Sequence, residues 1–251
     1  MEKLTPTVIF EDSDLLIINK PAGMVVNKAE TAKNFFTLQE WVEERTDLQK
    51  FGDESEEEKV FQERSGIAHR LDKETSGIML IAKNPPTLVE LMKQFKERVV
   101  EKTYEALVHG KVTPASGEIN VPIGRLPWNR THFGVLPAGR ESRTLYKVLA
   151  YKEYSFEKKK EILTLLEAYP KTGRTHQIRV HLRFLGYPIF ADSLYAGRKN
   201  IRKDRKVLSR HFLHAKEIRF LHPMTHKPMH FIAELPLDLL AFVQSLAPYK
   251  E

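Results

Sequence analysis

The sequence contains no cysteine in its 251 residues, which excludes disulfides, thiolate nucleophiles and cysteine-ligated zinc or iron–sulfur sites. No apolar run approaches the roughly 18 to 20 residues that a membrane helix needs. The segment 1–14, MEKLTPTVIFEDSD, lacks the basic-then-apolar pattern of a signal peptide. We therefore expect a cytoplasmic protein that does not span a membrane.

Acidic residues are outnumbered, because 40 lysines and arginines face 33 aspartates and glutamates, for a net charge of +7 with histidine neutral. An excess of positive charge favours a polyanionic partner. The hydrophobic content of 41% and the charged content of 29% are ordinary for a globular protein. The length suits one domain, or two lobes that share a sheet, and it is enough for a sizeable core.

Residues 66–83, GIAHRLDKETSGIMLIAK, hold a polar loop between two apolar segments that predict short buried strands. Asp72 lies in this loop between Arg70 and Lys73, whose charges favour its ionised form. An ionised, shielded aspartate can act as a nucleophile or a base. Alternatively, Asp72 accepts the backbone amides at 76–77 in an Asx-type turn and only shapes the loop. The residues alone leave both interpretations open.

Apolar periodicity and turn residues predict the elements around this loop. The predicted strands are 8–10, 15–20, 101–110, 144–154 and 161–170. The predicted helices are 34–45, one that starts at Pro85, 176–185 and 235–246. The segment between 47 and 65 carries five acids from Asp53 to Glu58, which repel one another and RNA phosphates, so it predicts a solvated or mobile insertion.

Two basic segments fit a nucleic-acid partner. Residues 121–144 are rich in Gly, Pro and Arg, which predicts a loop or hairpin, and they interleave Arg125 and Arg130 with aromatic side chains. That mixture suits single-stranded or distorted RNA, although a solvated hairpin fits the composition equally well. Between Arg198 and Arg210, seven basic residues accompany one acid, which predicts an RNA-backbone patch.

Three histidines near the C-terminus, His222, His226 and His230, recur every four residues, a spacing that could hold a metal on a helix. Pro223 and Pro228 interrupt any continuous helix there. Because the required geometry is missing, we expect no metal site.

Several motifs share one resemblance. HRLDKETSGIMLIAK resembles the HRLD-x-x-TSG signature of the RluA-type pseudouridine synthases, which isomerise uridine in RNA to its C-glycoside. Three more segments resemble further motifs of that family and occur in the same order: NKPAGMVV (19–26), EKTYEALVHG (101–110) and KTGRTHQIRVHLRFLGYPIFADSLYAG (171–197). Residues 210–236 resemble the closing segment of the family. The resemblance runs from residue 8 to residue 236.

The resemblance implies an α+β pseudouridine synthase fold with a mixed, largely antiparallel sheet, flanking helices and a central RNA-binding cleft. It implies a single catalytic domain over residues 1–251, with the acidic insertion at about 47–65 and no N-terminal accessory RNA-binding domain. RNA binding would then come from the catalytic domain itself. A monomer that needs no cofactor and no metal is expected.

The family's motifs also assign roles to residues of this sequence. Asp72 takes the nucleophilic or base step, Tyr104 stacks on the target base, and Arg179 pairs with Asp72 across the cleft and keeps it charged. Arg70 fills the space that the flipped base vacates. The residues expected to contact RNA are Lys20, His69, Arg70, Arg125, Arg130, Arg174, Arg198, Lys199, Arg202 and Lys203.

The expected function is therefore isomerisation of a specific uridine in structured ribosomal or transfer RNA, after the base has left its stack. A catalytically silent RNA-binding or assembly factor with the same fold is one alternative. Hydrolysis of an N-glycoside through an aspartate nucleophile is another, and it would release free uracil. The sequence leaves open which uridine is modified and whether the route is covalent or passes through a glycal.

Overall fold

A computed structural model describes residues 4–28, 35–46, 51, 54–157 and 159–250. The chain forms two compact units, Met1–Glu101 with Glu217–Ala233 and Lys102–Lys216 with Glu234–Glu251. Each combines helices with mainly antiparallel strands, which confirms the α+β class. The expectation of a single domain stays a prediction.

The strands and helices of the described residues are interspersed along the chain. The strands are β1 (Thr7–Glu11), β2 (Leu15–Lys20), β3 (Ser76–Ala82), β4 (Glu101–His109), β5 (Ser116–Asn120), β6 (Ile123–Leu126), β7 (Asn129–Val135), β8 (Arg143–Phe156), β9 (Lys159–Pro170), β10 (Leu213–Leu221), β11 (Pro228–Ile232) and β12 (Ala247–Pro248). The helices are α1 (Leu38–Arg45), α2 (Glu56–Arg64), α3 (Pro85–Lys96), α4 (Gln177–Phe184), α5 (Arg198–Asp204) and α6 (Leu237–Ser245).

The first unit is organised by strands that are apolar on both faces. Strands β1 and β2 form the predicted hairpin, and β2 pairs antiparallel with β3, with Leu15 opposite Ala82 and Lys20 opposite Gly77. Every residue of β3 is buried, as a strand covered on two sides requires. Strand β11 pairs antiparallel with the part of β10 in this unit.

Capping groups fix where two helices of this unit begin. Helix α1 begins after Thr37, whose hydroxyl accepts the Glu40 amide while the Glu40 carboxylate accepts the Thr37 amide. Helix α3 begins at Pro85, after an Asn84 side chain that accepts the Thr87 amide at 3.0 Å. Both caps, of which the first is reciprocal, satisfy amides that have no partner inside the helix. Helix α1 therefore starts later than the predicted 34–45, whose first residue lies outside the described part of the chain.

The acidic segment is more ordered than its charge predicts. Ser55 and Glu58 form a second capping box, and α2 follows. The side chain of Phe61 in this helix is fully buried in the core of the first unit, while the acids of the first turn face solvent. Of the two alternatives, a mobile segment does not fit residues 54–65, because one aromatic side chain anchors the helix, whereas the exposed acids fit a solvated one. Residues 47–50, 52 and 53 lie outside the described part.

The second unit is built on a long antiparallel ladder. Strand β9 pairs with β4 on one side and with β8 on the other, and β5 and β12 pair with β8. Strands β6 and β7 form a separate two-stranded sheet, which is the hairpin predicted within 121–144. The core includes the fully buried side chains of Leu163, Leu166, Leu182 and Phe190. Helix α4 therefore packs its apolar stripe onto this core, as the sequence predicts.

Replacing Phe61 by Ala tests whether the acidic segment is part of the core. We expect the free energy of unfolding to fall by about 3 to 5 kcal/mol, because the substitution leaves a cavity under α2. Urea denaturation measures the change. Glu57→Ala, on the exposed side of the same helix, is the control and should stay within about 0.5 kcal/mol of the wild type. Equal stability of the two variants would mean that α2 contributes nothing to the core.

Candidate active site

The polar loop before β3 is fixed at both ends by backbone contacts. The Ala82 amide donates to the Gly66 carbonyl at 2.8 Å, and Ile67 bridges Ile81. Gly66 has a φ of +72°, and a Cβ there would lie 2.1 Å from the Ala82 carbonyl oxygen, so only glycine fits. The Thr75 amide donates to the Asp72 carbonyl at 3.1 Å, which closes a tight turn around the candidate carboxylate.

Lys20 connects the loop to the turn after β2. Its side chain is fully buried, and its ammonium donates to the carbonyls of Pro21 (2.9 Å), Met24 (3.0 Å) and Lys73 (3.3 Å). The Gly23 amide donates to the same Lys73 carbonyl at 2.7 Å. Lys73 follows Asp72 directly, so Lys20 holds the backbone of the candidate carboxylate. This burial contradicts the expected RNA contact of Lys20.

His69 and Arg70, which precede Asp72 in the motif, have different surroundings. His69 is half-buried, its Nε2 accepts the Leu80 amide at 3.0 Å, and its ring centroid lies 4.8 Å from that of Phe95. One ring nitrogen of His69 is therefore committed to strand β3. Arg70 is exposed. The expected RNA contacts of His69 and Arg70 stay predictions.

In the second unit, Arg179 forms a bidentate pair with a carboxylate that the sequence analysis missed. Arg179 lies on α4 with 4% of its surface exposed. Its Nε donates to Asp192 Oδ2 at 2.7 Å, and its Nη2 donates to Oδ1 at 2.9 Å. The guanidinium carbon also lies 5.0 Å from the ring centroid of Tyr195. The pairing expected between Arg179 and Asp72 stays a prediction.

Asp192 is held by its own turn as well as by Arg179. Its Oδ1 accepts the amides of Leu194 at 3.0 Å and Tyr195 at 3.1 Å. Burial raises the pKa of the Asp192 carboxyl, but Arg179, His211 and the Leu194 amide lower it more, so the net pKa lies below its ordinary value. The carboxylate is therefore ionised at neutral pH. The sequence did contain a signal for Asp192: it follows the apolar segment Ile-Phe-Ala, a short distance after the motif arginine.

Tyr104 lies on β4, opposite Ala168 of β9, and is half-buried against the core of the second unit. Lys102 precedes it by two residues and so belongs to the same face of the strand. Burial, with the charge of Lys171, lowers the pKa of Lys102 to about 8. Lys102 could not be singled out from the sequence, because the shift of its pKa depends on burial in the folded chain.

The β6–β7 hairpin carries aromatic and basic groups together. The guanidinium carbon of Arg125 lies 5.2 Å from the ring centroid of Phe133, and Trp128 at the turn is 76% exposed. The Tyr195 hydroxyl accepts the Phe133 amide at 3.1 Å and lies 2.8 Å from His176 Nδ1. Tyr195 therefore connects the hairpin to the start of α4.

Two further predicted RNA contacts belong to this unit. Arg130 lies in β7, and its side chain is outside the described part of the chain. Arg174 is half-buried, and its Nε donates to the Glu141 carbonyl at 3.1 Å. Both contacts stay predictions.

The basic segment after the third motif forms α5. Arg198, Lys199 and Arg202 are exposed on this helix. Lys203 differs, since only 14% of its side chain is exposed and its ammonium pairs with Glu161. The first three remain predicted phosphate contacts. The RNA contact expected of Lys203, whose ammonium is already paired with a carboxylate, also stays a prediction.

The C-terminal histidines do not form the regular array that their spacing suggests. His222 lies near Asp12 and Asp14, with one potential ligand atom from each within 4.8 Å of the others. Its Nε2 lies 3.0 Å from Asp12 Oδ2, and its Nδ1 accepts the amides at 224–225. Protein groups therefore use both ring nitrogens. His230 lies elsewhere, 2.7 Å from Glu217.

No helix in the described ranges has the length and apolar character needed to cross a membrane.

Comparison with known proteins finds relatives over most of the chain. A family model described as RNA pseudouridylate synthase matches residues 14–184. An uncharacterized RNA pseudouridine synthase of Chloroflexus aurantiacus is 40% identical over 229 residues, which cover 91% of this chain and 65% of the relative. Ribosomal large subunit pseudouridine synthase D of Buchnera aphidicola is 39% identical over 251 residues, covering 95% of this chain and 72% of the relative.

A solved structure gives the same result for the fold. Human RNA pseudouridylate synthase domain containing 1 superposes with a TM-score of 0.72 at 25% sequence identity, covering 99% of this chain and 91% of the human one. The chain described here spans 65% and 72% of the length of the two bacterial relatives.

Replacing Lys20 by Met keeps the length of the side chain but removes the ammonium that donates to three carbonyl oxygens, of which that of Lys73 keeps a second donor, the Gly23 amide. We expect the free energy of unfolding, measured in urea, to fall by about 1 to 3 kcal/mol. RNA affinity and its dependence on salt should change by less than about twofold, because no phosphate contact is removed. Lys28→Met, an exposed lysine of the same unit, is the control for stability. Weaker RNA binding without a loss of stability would restore Lys20 as an RNA contact.

Replacing Asp192 by Asn tests its ionic pairing through pH. Because the pKa of Asp192 is lower in the folded chain, its ionised form stabilises the fold above the unfolded pKa of about 4. That contribution is lost as the pH falls through the folded pKa. The unfolding free energy of the wild type should therefore fall more steeply than that of Asp192→Asn between about pH 5 and pH 2. Parallel curves of unfolding free energy against pH for the wild type and Asp192→Asn would contradict the pairing. Glu141→Gln, which neutralises an exposed acid, is the control and should follow the wild type.

Proposed function

Because the chain belongs to the RNA pseudouridylate synthase family, we propose that it is an isomerase that converts a specific uridine of structured RNA into pseudouridine. The match over residues 14–184 carries this proposal, since it includes the Asp72 loop, strand β4 and helix α4. The reaction breaks the bond from N1 of the base to C1′ of the ribose and forms one from C5. N1 gains a proton and C5 loses one, so no other reactant is consumed.

We assign the reacting carboxylate to Asp72. The cations Arg70 and Lys73 flank it in sequence, and the tight turn at its own carbonyl and the Lys20 ammonium fix its backbone. A carboxylate on a fixed backbone suffers little entropy loss when it attacks the sugar or the base, or when it abstracts a sugar proton. The same carboxylate serves either route.

Two residues of the second unit complete the assignment from the family motifs. Tyr104 offers an aromatic ring to the flipped base, and Arg179 supplies the positive charge that keeps the reacting carboxylate ionised. The two hydrogen bonds that Arg179 donates to Asp192 support the second role, because they fix the plane of the guanidinium. A fixed guanidinium presents its charge without reorganisation during the reaction.

The RNA backbone is bound by exposed cations in this proposal. Arg198, Lys199 and Arg202 form a basic helical surface, and Arg125 stacks on Phe133 in the hairpin. Lysines and arginines of this kind neutralise phosphates and make binding sensitive to salt. The exposed Trp128 ring offers a stacking platform for an unpaired base. Arg70 takes the space that the target base leaves.

Large-subunit ribosomal RNA is the substrate class we propose. Its support is that relatives such as that of Buchnera aphidicola carry the name ribosomal large subunit pseudouridine synthase D. Transfer RNA is the competing outcome, and mapping of total RNA distinguishes the two classes in one experiment.

The experiment is carbodiimide-based pseudouridine mapping of total RNA from cells with and without the gene, with rescue by the wild type and by Asp72→Asn. We expect one or more sites to disappear without the gene and to return only with the wild type. In purified protein, Asp72→Asn should lower turnover by at least about a thousandfold, because it removes the reacting charge but keeps the shape. The RNA Kd should stay within about threefold of the wild type.

Glu74→Gln is the matched control, because it neutralises another acid of the same loop and should retain activity. Isomerisation by Asp72→Asn would contradict the role of Asp72. Release of free uracil by the wild type would indicate hydrolysis instead of isomerisation. RNA binding without any product from ribosomal or transfer RNA would contradict the proposed activity.

A further inference from the structure

Asp204 is a buried carboxylate that the proposed reaction does not use. It is the last residue of α5 and has 0% of its surface exposed. Its Oδ2 lies 2.8 Å from His109 Nε2 on β4 and accepts the Ala191 amide at 3.1 Å. Burial of a carboxylate is unfavourable unless hydrogen bonds or ion pairs compensate for the loss of its contacts with water.

The Ala191 contact places this carboxylate next to the Arg179 pair. Ala191 has a φ of +59°, a left-handed conformation that is unfavourable for a residue with a Cβ. The hydrogen bond from its amide to Asp204 holds that conformation. Asp192, which grips Arg179, is the next residue in the chain, so the direction of its side chain depends on the backbone at Ala191.

We propose that Asp204, oriented by His109, is a positioning residue for Arg179 that acts through Ala191 and Asp192. The inference rests on the proposed function, in which Arg179 serves the reaction. His109 is itself held, because its ring stacks on Phe190 at 5.3 Å and its Nδ1 lies 3.6 Å from Glu161. The Asp204 carboxylate therefore accepts a hydrogen bond from a fixed donor, His109 on β4. In turn it fixes the backbone of the turn from which Asp192 binds Arg179.

The same carboxylate ends the helix that carries the proposed phosphate contacts. Arg198, Lys199 and Arg202 are exposed on α5, and Asp204 fixes the C-terminal end of that helix to β4 through His109. Loss of Asp204 could therefore act on RNA affinity or on turnover. Positioning of Arg179 predicts an effect on kcat, whereas displacement of α5 predicts an effect on KM and on the RNA Kd.

The test compares Asp204→Ala, Asp204→Asn and Asp238→Ala. In Asp204→Asn, the amide oxygen can replace Oδ2 and accept both hydrogen bonds. Among the described residues Oδ1 of Asp204 has no hydrogen bond to lose, and its ion pair with the Lys203 ammonium, at 3.8 Å, is removed in both Asp204 variants. Asp238→Ala is the control, because it removes a carboxylate of the same unit from a bidentate pair with Arg210, at 2.6 and 3.0 Å.

We expect Asp204→Ala to lower kcat by about tenfold or more, since small displacements of a charged group are costly to turnover. KM and the RNA Kd should stay within about twofold, and Asp204→Asn should recover most of kcat. Asp238→Ala should lower the Tm but leave kcat within about twofold at a temperature where the protein is folded.

A second readout does not depend on activity. The Arg179 Nε–H resonance in a ¹⁵N-correlation spectrum reports the bond to Asp192 directly. We expect its exchange with water to speed up in Asp204→Ala and to stay slow in Asp204→Asn and Asp238→Ala. If Asp204→Ala does not fold, His109→Phe, which removes the donor but keeps a ring on Phe190, should show a smaller change in the same direction.

Several outcomes would overturn the proposal. The first is an unchanged kcat together with unchanged Arg179 exchange in a folded Asp204→Ala or His109→Phe variant. The second is an equal loss of kcat in Asp238→Ala. The third is a rise in KM and RNA Kd that accounts for the whole loss of activity in Asp204→Ala. If the wild type makes no pseudouridine, the proposed function fails, and the Arg179 exchange measurement still tests the positioning.

Discussion

The bidentate bond between Arg179 and Asp192 is the constraint on which the second unit depends. A buried guanidinium is unfavourable unless its donors are satisfied, and Asp192 accepts two of them in one plane. The carboxylate is in turn satisfied by two amides of its own turn. Burial of this ion pair therefore fixes the orientation of the Arg179 guanidinium. A candidate catalytic arginine is thus held in one orientation, which a flexible surface position would not provide.

The first unit uses the same principle with a different chemical group. Lys20 is buried and donates to three main-chain carbonyls, one of them in the Asp72 loop. Hydrogen bonds from a charged donor are stronger than neutral ones. In both units, a buried cation therefore orders the backbone or side chains next to a residue that the family motifs assign to the reaction.

The local parts of this fold could be predicted from the sequence. The β1–β2 hairpin, strand β3, the start of α3 at Pro85 and the apolar stripe of α4 all follow from patterns within a few residues. Membership of the family followed from motifs that also lie in short segments. Periodicity and motif order were enough for these features, because neighbouring residues decide them.

The features that could not be predicted depend on contacts between residues that are distant in the sequence. The Lys20 ammonium meets a carbonyl 53 positions away, which turns a predicted RNA contact into a buried anchor. The acidic segment contains one phenylalanine that finds a core built from other segments, so its charge alone predicted too little order. Asp192 is 13 positions from Arg179, but only the fold shows that their side chains meet.

The exposed acids of α2 have a consequence for how substrate arrives. Glu56 and Glu57 of α2, and Glu54 just before the helix, are exposed on the surface of the first unit. Phe61 anchors the helix, so this negative field has a fixed direction. An RNA that approaches this face is repelled over about a Debye length, which is near 8 Å at physiological salt. For the RNA substrate that we propose, this repulsion would disfavour approach from the acidic side, and so reduce one class of unproductive encounters before any specific contact forms.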